Sequence, residues 1–495
     1  MKHVKSLPLM TAAGLLAACA VGPNYHRPSA PVPQAFKEAD GWKPAEPRAA
    51  ASASPWWSVY EDPVLDELER QIDVSNQTLK ASEAAWREAR ALVSEARAAY
   101  LPTLGLSASG TRSSARASAV TSGGSTVTQS PTGHPSNSFE ALATAAWDVD
   151  LWGKIRRTVE SQEANTQASE AELAAARLSA QAALATDYVD LRVADETRQL
   201  LDETVAAFQR SLTITQNQYK VGIVAKADVI TAETQLGGAK SQQLAIGVTR
   251  ATLEHAIAVL VGKAPADFSL APAPLGAAVP VAPIGVPSTL LERNPTVAAA
   301  ERSMAAANAQ IGVAIAAYFP DLTLTGTTGF AGKAVEGLFQ APNAVWSFGG
   351  NATATLFDFG LRSAQVHQAR AAYDAAVANY RQAVLSAFQQ VEDQLATLRI
   401  LEAQYAVQDQ TVKSANEAVR LTLNEYKAGT VAYTTVVTAQ ATALADAQAL
   451  LQIRQNRLNA SVALVQALGG GWDAATLGKP EGAAAELAQT PGHTP

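Results

Sequence analysis

Cysteine is almost absent from this chain, because Cys19 is the only one among its 495 residues. A disulfide needs two thiols, so no internal disulfide framework can hold this fold together. Charged residues are also scarce, at 17%, and the formal net charge is −7. Nucleic-acid-binding domains carry clustered positive charge. The composition therefore argues against a nucleic-acid partner.

Long apolar runs and catalytic motifs are missing as well. Beyond the first 18 residues, no stretch of the chain has the roughly 20 consecutive apolar residues that a membrane-spanning helix needs. The six histidines show no metal-ligand spacing, and no nucleophile-elbow, zinc-protease, dinucleotide or phosphate-loop motif occurs. We therefore predict no enzyme activity, no catalytic residue and no metal.

The first 18 residues are typical of an export signal. Two lysines precede an apolar stretch of about ten residues, and small residues come just before Cys19. The order Leu16-Ala17-Ala18-Cys19 resembles a bacterial lipobox, in which the cysteine becomes the first residue of the mature chain. This resemblance implies S-diacylglycerol and N-palmitoyl groups on Cys19, with no other cofactor, and Ala20 in place of aspartate implies sorting to the outer membrane. The alternative is that Cys19 is an ordinary small hydrophobic residue.

The strongest signal in the chain is an internal duplication. The segment NQTLKASE at 76–83 matches NPTVAAAE at 294–301, and AAYLP at 98–102 matches AAYFP at 316–320. Both matches are 218 residues apart. The chain therefore consists of two tandem copies.

The later parts of the two copies are 207 residues apart. QYKVGIVA at 218–225 matches EYKAGTVA at 425–432, and WG at 152–153 matches FG at 359–360. The first copy therefore carries 11 extra residues between Pro102 and Trp152, in a long polar tract.

Each copy predicts the same order of elements: a helix of about 23 residues, two strands, a very long helix, a glycine turn and a second helix. The long tracts, 155–219 and 361–426, contain no glycine or proline, and each would extend about 100 Å as a helix. Apolar residues in these tracts follow the four-three spacing of a coiled-coil seam. The seam residues are Leu184, Tyr188, Leu191, Leu201, Val205, Phe208 and Leu212 in the first tract and Val384, Phe388, Val391, Leu395 and Leu398 in the second. Taken alone, these tracts fit a long coiled-coil rod.

The strand segments argue against a simple rod. In FEALATAAWDVDLW at 139–152, DLTLTGTTGF at 321–330 and VWSFGGNATATLF at 345–357, apolar and polar residues alternate. Segments of about ten residues with this alternation are typical of outer-membrane barrels, although one half-buried strand of a soluble sheet would look the same. Four strands in two hairpins favour the barrel.

Four strands cannot close a barrel, whose minimum is about eight, and an open sheet edge in lipid leaves backbone groups unpaired. We therefore predict that copies of the chain associate to complete the sheet. Two copies would supply eight strands and a filled interior, whereas three would supply 12 and leave a lumen. The polar face of the strands favours the lumen.

The order of these features resembles the outer-membrane factor family, the TolC-like ducts of Gram-negative export systems, and more closely its OprM/NodT-like lipoprotein drug-efflux branch. The resembling stretches are CAVGPNYHRP after the leader, WWSVYEDPVLDEL at 56–68, the two AYxP elbows and the two YKxG tips. The resemblance implies a mixed α and β membrane protein. It would be a homotrimer whose 12-stranded outer-membrane β-barrel continues into a long periplasmic α-helical barrel.

The resemblance also assigns the segments of the chain. It implies a signal peptide at 1–18, a lipidated N-terminal and equatorial segment at 19–75, repeat 1 at 76–262, a Pro-rich equatorial link at 263–293, repeat 2 at 294–470 and a C-terminal tail at 471–495.

The two YKxG turns are expected at the periplasmic tip, where the family's duct is gated. Gly222 and Gly429 would permit the turns, and Tyr219 and Tyr426 would either gate the duct or simply pack at the helix ends. Asp228 matches a family acid that holds neighbouring helices together. The family's basic partner position holds Val431 here, and Thr435 and Thr438 replace its acidic ring. Tyrosine and threonine contacts are therefore the expected closure.

The implied function is a passive outer-membrane channel for small toxic compounds or drugs. Its expected partners are a periplasmic adaptor (a membrane fusion protein), an inner-membrane pump of the RND, MFS or ABC type, and outer-membrane lipid. Two alternatives stay open: a type I protein-secretion duct of the same architecture, and a lipid-anchored periplasmic coiled-coil scaffold without a pore.

Overall fold

The computed structural model describes residues 20–38, 55–114, 135–276, 290 and 292–478. Within these ranges there are four strands and seven helices of more than ten residues. The strands are β1 (Thr103–Ser113), β2 (Ser136–Asp148), β3 (Asp321–Gly332) and β4 (Ala344–Thr353). The helices are α1 (Pro63–Ser75), α2 (Gln77–Ala98), α3 (Lys154–Lys220), α4 (Lys226–Leu260), α5 (Pro295–Ala316), α6 (Leu361–Lys427) and α7 (Tyr433–Ala467).

The helix pattern predicted for the two copies is confirmed. Helices α3 and α6 are each a single helix of 67 residues, because neither tract contains a residue that breaks the hydrogen-bond ladder. Helices α2 and α5 are both 22 residues long, and α4 and α7 are both 35. The two copies therefore fold into the same elements at the same lengths.

The four strands form one antiparallel sheet in the order β1-β2-β3-β4. The predicted strands are present, but two of them end earlier than the alternation suggested: β2 ends at Asp148 and β4 at Thr353. For β4 the physical reason is that it is an edge strand, with β3 on one side and no pairing partner on the other among the described residues.

The chain divides into two compact units, and these are not the two sequence copies. One unit contains Met1–Arg27, Glu88–Thr166 and Arg302–Val377, and therefore holds the whole sheet. The other contains Pro28–Arg87, Gln167–Glu301 and Ala378–Pro495. Each unit draws on both copies, so neither copy forms a compact domain. The two units do not test the boundaries predicted for the two repeats, so those boundaries stay predictions.

The second unit buries the apolar residues of the predicted seams. Every predicted seam residue of α6 is buried, from Val384 to Leu398, and so are those of α3 except Val205, which is partly buried. Helix α1 packs against the α3 seam in one buried cluster through Leu65, Leu68 and Ile72, which lie on one face of the helix.

In the first unit, the segment that follows Cys19 lies against the start of α3. The Arg157 guanidinium, whose side chain is 5% exposed, donates to the carbonyl oxygens of Val21 and Gly22 and to Asn24 Oδ1. The Val21 N–H in turn donates to the Trp152 carbonyl oxygen at 3.0 Å. These bonds pair the Val21 N–H and the carbonyls of Val21 and Gly22, backbone groups that no regular secondary structure pairs here.

Several predicted features lie outside the described residues. They are the signal peptide at 1–18, Cys19, most of the variable polar tract, the middle of the Pro-rich link and the end of the C-terminal tail.

Among the described helices, none combines the length and the apolar character needed to cross a membrane.

Candidate functional site: the sheet and the helix-turn tips

One face of the sheet is mainly apolar. Residues that pair across antiparallel strands share a face, so the register defines that face across all four strands. Leu104 pairs with Ala145, which pairs with Gly326, which pairs with Phe348. Large apolar side chains at both sheet edges are strongly exposed within one chain: Leu106 is 86% exposed and Trp346 81%. Such a face requires an apolar environment that the chain itself does not supply.

The opposite face of the sheet is mainly polar. It carries Thr103, Ser107, Ser109, Ser138, Glu140, Thr144, Asp148, Thr323, Thr325, Thr327, Ser347, Asn351 and Thr353. Hydroxyl groups on this face bond locally; Thr323 Oγ1, for example, donates to Asp148 Oδ1 at 2.7 Å. The predicted division of each strand into an apolar and a polar side is therefore confirmed.

Acidic residues at the strand–helix junctions start the two long helices. Asp150 accepts hydrogen bonds from the N–H groups of Ile155 and Arg156, and Asp358 does the same for Gly360 and Arg362. These carboxylates satisfy helix N–H groups that lack an intrahelical partner. The sequence pattern did not reveal this capping role.

The two glycine turns have the same backbone geometry. Gly222 and Gly429 both have φ of 77°, in the left-handed region that favours glycine. The Gly222 N–H donates to the Tyr219 carbonyl at 2.9 Å, and the Gly429 N–H donates to the Tyr426 carbonyl at 3.0 Å. The next residue in each turn donates to a carbonyl one position further back, which completes a Schellman cap. Both glycines therefore lie where the turns require them.

The side chains of the two tips meet in one buried cluster, which joins the ends of α3 and α6 to the beginnings of α4 and α7. Tyr426 and Tyr433 lie at its centre, 4% and 2% exposed, with ring centroids 5.2 Å apart. Burial raises the pKa of Tyr433 to about 12, and it also raises the pKa of Tyr426. Both phenols are therefore neutral hydrogen-bonding groups at physiological pH.

Three polar side chains support this cluster. The Tyr426 hydroxyl lies 3.2 Å from Thr215 Oγ1, and Thr215 donates to the carbonyl of Ser211 on the previous turn. Gln440 Nε2 donates to Ser211 Oγ at 3.2 Å. The sequence did not identify these residues, or Tyr433. Only the position of Tyr433, four residues after a turn glycine on the apolar face of α7, could have indicated it.

The remaining predicted tip residues do not join the cluster core. Tyr219 is 44% exposed, unlike its counterpart Tyr426 in the second copy. Thr435 and Thr438 are exposed on α7, where Thr438 Oγ1 donates to a carbonyl of its own helix. Asp228 is half-buried in the first turn of α4, and its charge adds to the raised pKa of Tyr426. Their role in gating stays a prediction.

Comparisons with known proteins agree with this geometry. The family model described as outer membrane efflux protein matches residues 68–263 and 286–470. The solvent efflux pump outer membrane protein SrpC of Pseudomonas putida is 30% identical over 477 residues, which cover 94% of this chain and 98% of SrpC. The solved outer-membrane channel OprN is 28% identical with a TM-score of 0.84, and the match covers 92% of this chain and all of the OprN chain.

A second solved structure is also similar to this chain. The MtrE outer membrane channel of Neisseria gonorrhoeae, solved in its open state, is 28% identical with a TM-score of 0.80. That match covers 92% of this chain and 98% of the MtrE chain. These likenesses confirm the predicted resemblance and the predicted fold class, in which a four-stranded antiparallel sheet is combined with long helices.

Proposed function

This chain belongs to the outer membrane efflux protein family, and on that premise we propose that three copies form the outer duct of a tripartite efflux system. The chain is an outer-membrane efflux channel, as predicted, since its relatives are named as efflux pump outer membrane proteins and its structural neighbours are outer-membrane channels. The proposal adds the number of copies, the partners and the way the duct closes.

The observation that carries the proposal is an apolar sheet face with two open edges. Strands β1 and β4 each have one neighbour within the described chain, so both outer edges have unpaired N–H and C=O groups. Lipid satisfies an apolar face but not an unpaired edge. Pairing β4 of one copy with β1 of the next satisfies both edges, and three copies supply the 12 strands of a barrel with a lumen.

Conductance tests this function directly. The purified oligomer, reconstituted into planar bilayers, should form discrete channels, and cross-linking should show three copies. A pure and correctly assembled protein that never conducts would overturn the duct and support the scaffold alternative.

The duct takes its energy from elsewhere. The chain has no catalytic motif, so we assign it passive conduction and no enzyme activity. A periplasmic adaptor and an inner-membrane pump supply cargo and energy, and the helix-turn tips are the surface that we assign to the adaptor. Deletion of the gene should sensitise cells to toxic small molecules, and a deletion that instead abolishes release of one secreted protein would support the secretion duct.

The lipid anchor is a separate part of the proposal. Acyl groups on Cys19 would hold the protein at the outer membrane. Stable anchoring needs two or more acyl chains. We expect Cys19→Ala to lower the amount of assembled protein while efflux persists. A Cys19→Ala variant that is abundant and assembled but inactive would contradict this role.

A further inference from the structure

The loop between β3 and β4, residues 333–343, folds back onto the sheet. Phe339 in this loop packs edge-to-face on Phe330 of β3, with ring centroids 5.4 Å apart. Leu338 is buried against the same strand, since a Cβ added at Gly332 would lie 3.3 Å from Leu338 Cδ1. Two neighbouring side chains of the loop therefore lie against the end of β3.

The strand register shows which face of the sheet this loop covers. Side chains two residues apart on a strand share a face, so Phe330 and Gly332 face the same way as Gly326. Gly326 pairs with Ala145 and Phe348, which belong to the apolar face. The loop therefore folds outward over the apolar face, and not over the polar face that we assign to the lumen.

The folded loop carries apolar side chains that the chain does not cover. Val335 is 60% exposed, and Phe339 is 70% exposed although one edge of its ring contacts Phe330. Trp346, on the same face of the neighbouring strand β4, is also strongly exposed. The loop therefore continues the exposed apolar face of the sheet beyond the end of β3.

The backbone of this loop is hydrogen-bonded within the loop itself. The Leu338 N–H donates to the Val335 carbonyl at 3.2 Å, and this bond closes one turn. The Gln340 N–H donates to the Gly337 carbonyl at 3.0 Å, and this bond closes the next turn. Asn343 Nδ2 donates to the same Gly337 carbonyl at 2.9 Å. Backbone groups near lipid need such partners inside the protein, because lipid supplies none.

The loop lies at the outer end of the sheet. Strands β2 and β4 lead into the long helices at the opposite end, and in this outer-membrane channel that end faces the periplasm. Strand β3 has 12 residues. At about 3.4 Å per residue and a tilt of about 40°, it spans about 30 Å, slightly more than the roughly 25 Å apolar band of such barrels. The loop therefore lies at the outer boundary of this band.

We propose that the β3–β4 loop binds the outer leaflet of the membrane, with the side chains of Val335 and Phe339 inserted among the lipid acyl chains. Lipid is the occupant because these side chains are continuous with the apolar sheet face, which the membrane covers. While Phe339 packs on Phe330, the loop is directed away from the lumen and leaves the outer mouth of the channel open. This proposal goes beyond the proposed function, because it does not depend on the number of copies or on the partners.

Spin labelling of the full-length protein tests this insertion. A nitroxide is attached to Val335→Cys or Phe339→Cys, with Cys19 retained, and the unmodified protein reports any label on Cys19. The proteins are reconstituted into vesicles of phosphatidylethanolamine and phosphatidylglycerol. Electron paramagnetic resonance then compares collisions of the label with oxygen, which concentrates in lipid, and with a water-soluble nickel chelate. The expected result at both positions is high access for oxygen and low access for nickel.

The same loop offers a matched control. Glu336 is exposed and charged, so a label on Glu336→Cys should face water and collide with nickel. A label on Phe339→Cys with as much access for nickel as that control would overturn the insertion. Exclusion of both oxygen and nickel would overturn lipid as the occupant and indicate a protein contact instead. Conductance of the same variants in planar bilayers shows separately whether the channel of the proposed function is intact.

A second pair of variants tests the contact that directs the loop outward. Phe330→Ala removes the ring under Phe339, so the label on Glu336→Cys should become more mobile and its spectral lines narrower. Trp346→Ala is the matched control, because Trp346 lies on the same face and is 81% exposed, and it should leave the lines unchanged. Equal line widths for the two variants would contradict the contact between the loop and β3.

Discussion

The Tyr426 hydroxyl lies 3.2 Å from Thr215 Oγ1, and this contact joins the end of one long helix to the last turns of the other. The two residues are 211 positions apart in the chain, and both are buried. The contact links the corresponding ends of the two copies, at the tips that we assign to gating.

Loss of the Tyr426 hydroxyl should loosen the tip. A hydrogen bond of this kind contributes about 1 kcal/mol net, and Thr215 keeps its bond to the Ser211 carbonyl, so the fold should survive. We expect Tyr426→Phe to raise the open probability of single channels in planar bilayers. Tyr405→Phe is the matched control, because Tyr405 lies on the same helix outside the tip cluster. Equal open probabilities for the two variants would contradict this role.

Alanine at the turn glycines should destabilise the tips through backbone conformation alone. Gly222 has φ of 77°, and a Cβ added there would meet no atom within 4 Å. The cost of Gly222→Ala is therefore that of a left-handed alanine, about 1–2 kcal/mol. Gly237 lies inside α4 with equally open surroundings, so Gly237→Ala should instead stabilise by about 1 kcal/mol. Thermal unfolding of the two variants in detergent checks the opposite signs.

Glu69 should make the protein less stable as the pH rises. It is fully buried in α1, and neither carboxyl oxygen has a hydrogen-bond partner among the described residues. Burial, and then the charge of Asp73, raise its pKa to about 9 from an ordinary value of 4.5. When the pH lies between these two pKa values, Glu69 has lost its proton in the unfolded chain but keeps it in the folded chain. Stability should therefore fall from pH 5 to pH 8, by on the order of a few kcal/mol.

Glu69→Gln should remove this pH dependence and should stabilise the protein at pH 8. Glu67→Gln is the control, because Glu67 is exposed on the same helix. The measurement is thermal unfolding at pH 5 and pH 8. A Glu69→Gln variant whose melting temperature changes with pH as much as that of the unmodified protein would rule out this origin.

Arg157→Ala should release the segment that follows Cys19. The buried guanidinium donates to Val21, Gly22 and Asn24, and its loss leaves these acceptors unpaired, at about 2–4 kcal/mol. We expect faster chymotrypsin cleavage after Tyr25, measured by mass spectrometry. Arg420→Ala should leave the cleavage rate unchanged, because its pair with Glu417 is exposed and worth little. Equal rates for the two variants would contradict the role of Arg157.

The long helices could be predicted almost to the residue, whereas α1 was not predicted. The tract 155–219 contains no helix breaker and is bounded by glycine on both sides, so local hydrogen bonding alone defines α3. The sheet faces could be predicted too, because the side-chain period of two is visible in a single strand. The two hairpins could be predicted, but the structure was needed to show that β2 and β3 pair and so join the hairpins in the order β1-β2-β3-β4.

The tip could be predicted only in part. Tyr219 and Tyr426 occupy the same place in the two copies, yet one is exposed and the other is buried against Tyr433 and Thr215. Their immediate sequences, QYKVG and EYKAG, do not distinguish them. What differs is the set of neighbours, and for Tyr426 these include Thr215, on a helix of the other copy.

The amino-acid sequence alone was enough to establish the duplication, the lengths of the helices and the two faces of each strand, because these depend on interactions within a few residues along the chain. The tertiary structure was needed to establish which copy buries its tyrosine and how Arg157 binds the segment after Cys19. The tertiary structure also shows that each of the two compact units contains residues of both copies. These features depend on contacts between distant residues, where packing and desolvation outweigh any local preference.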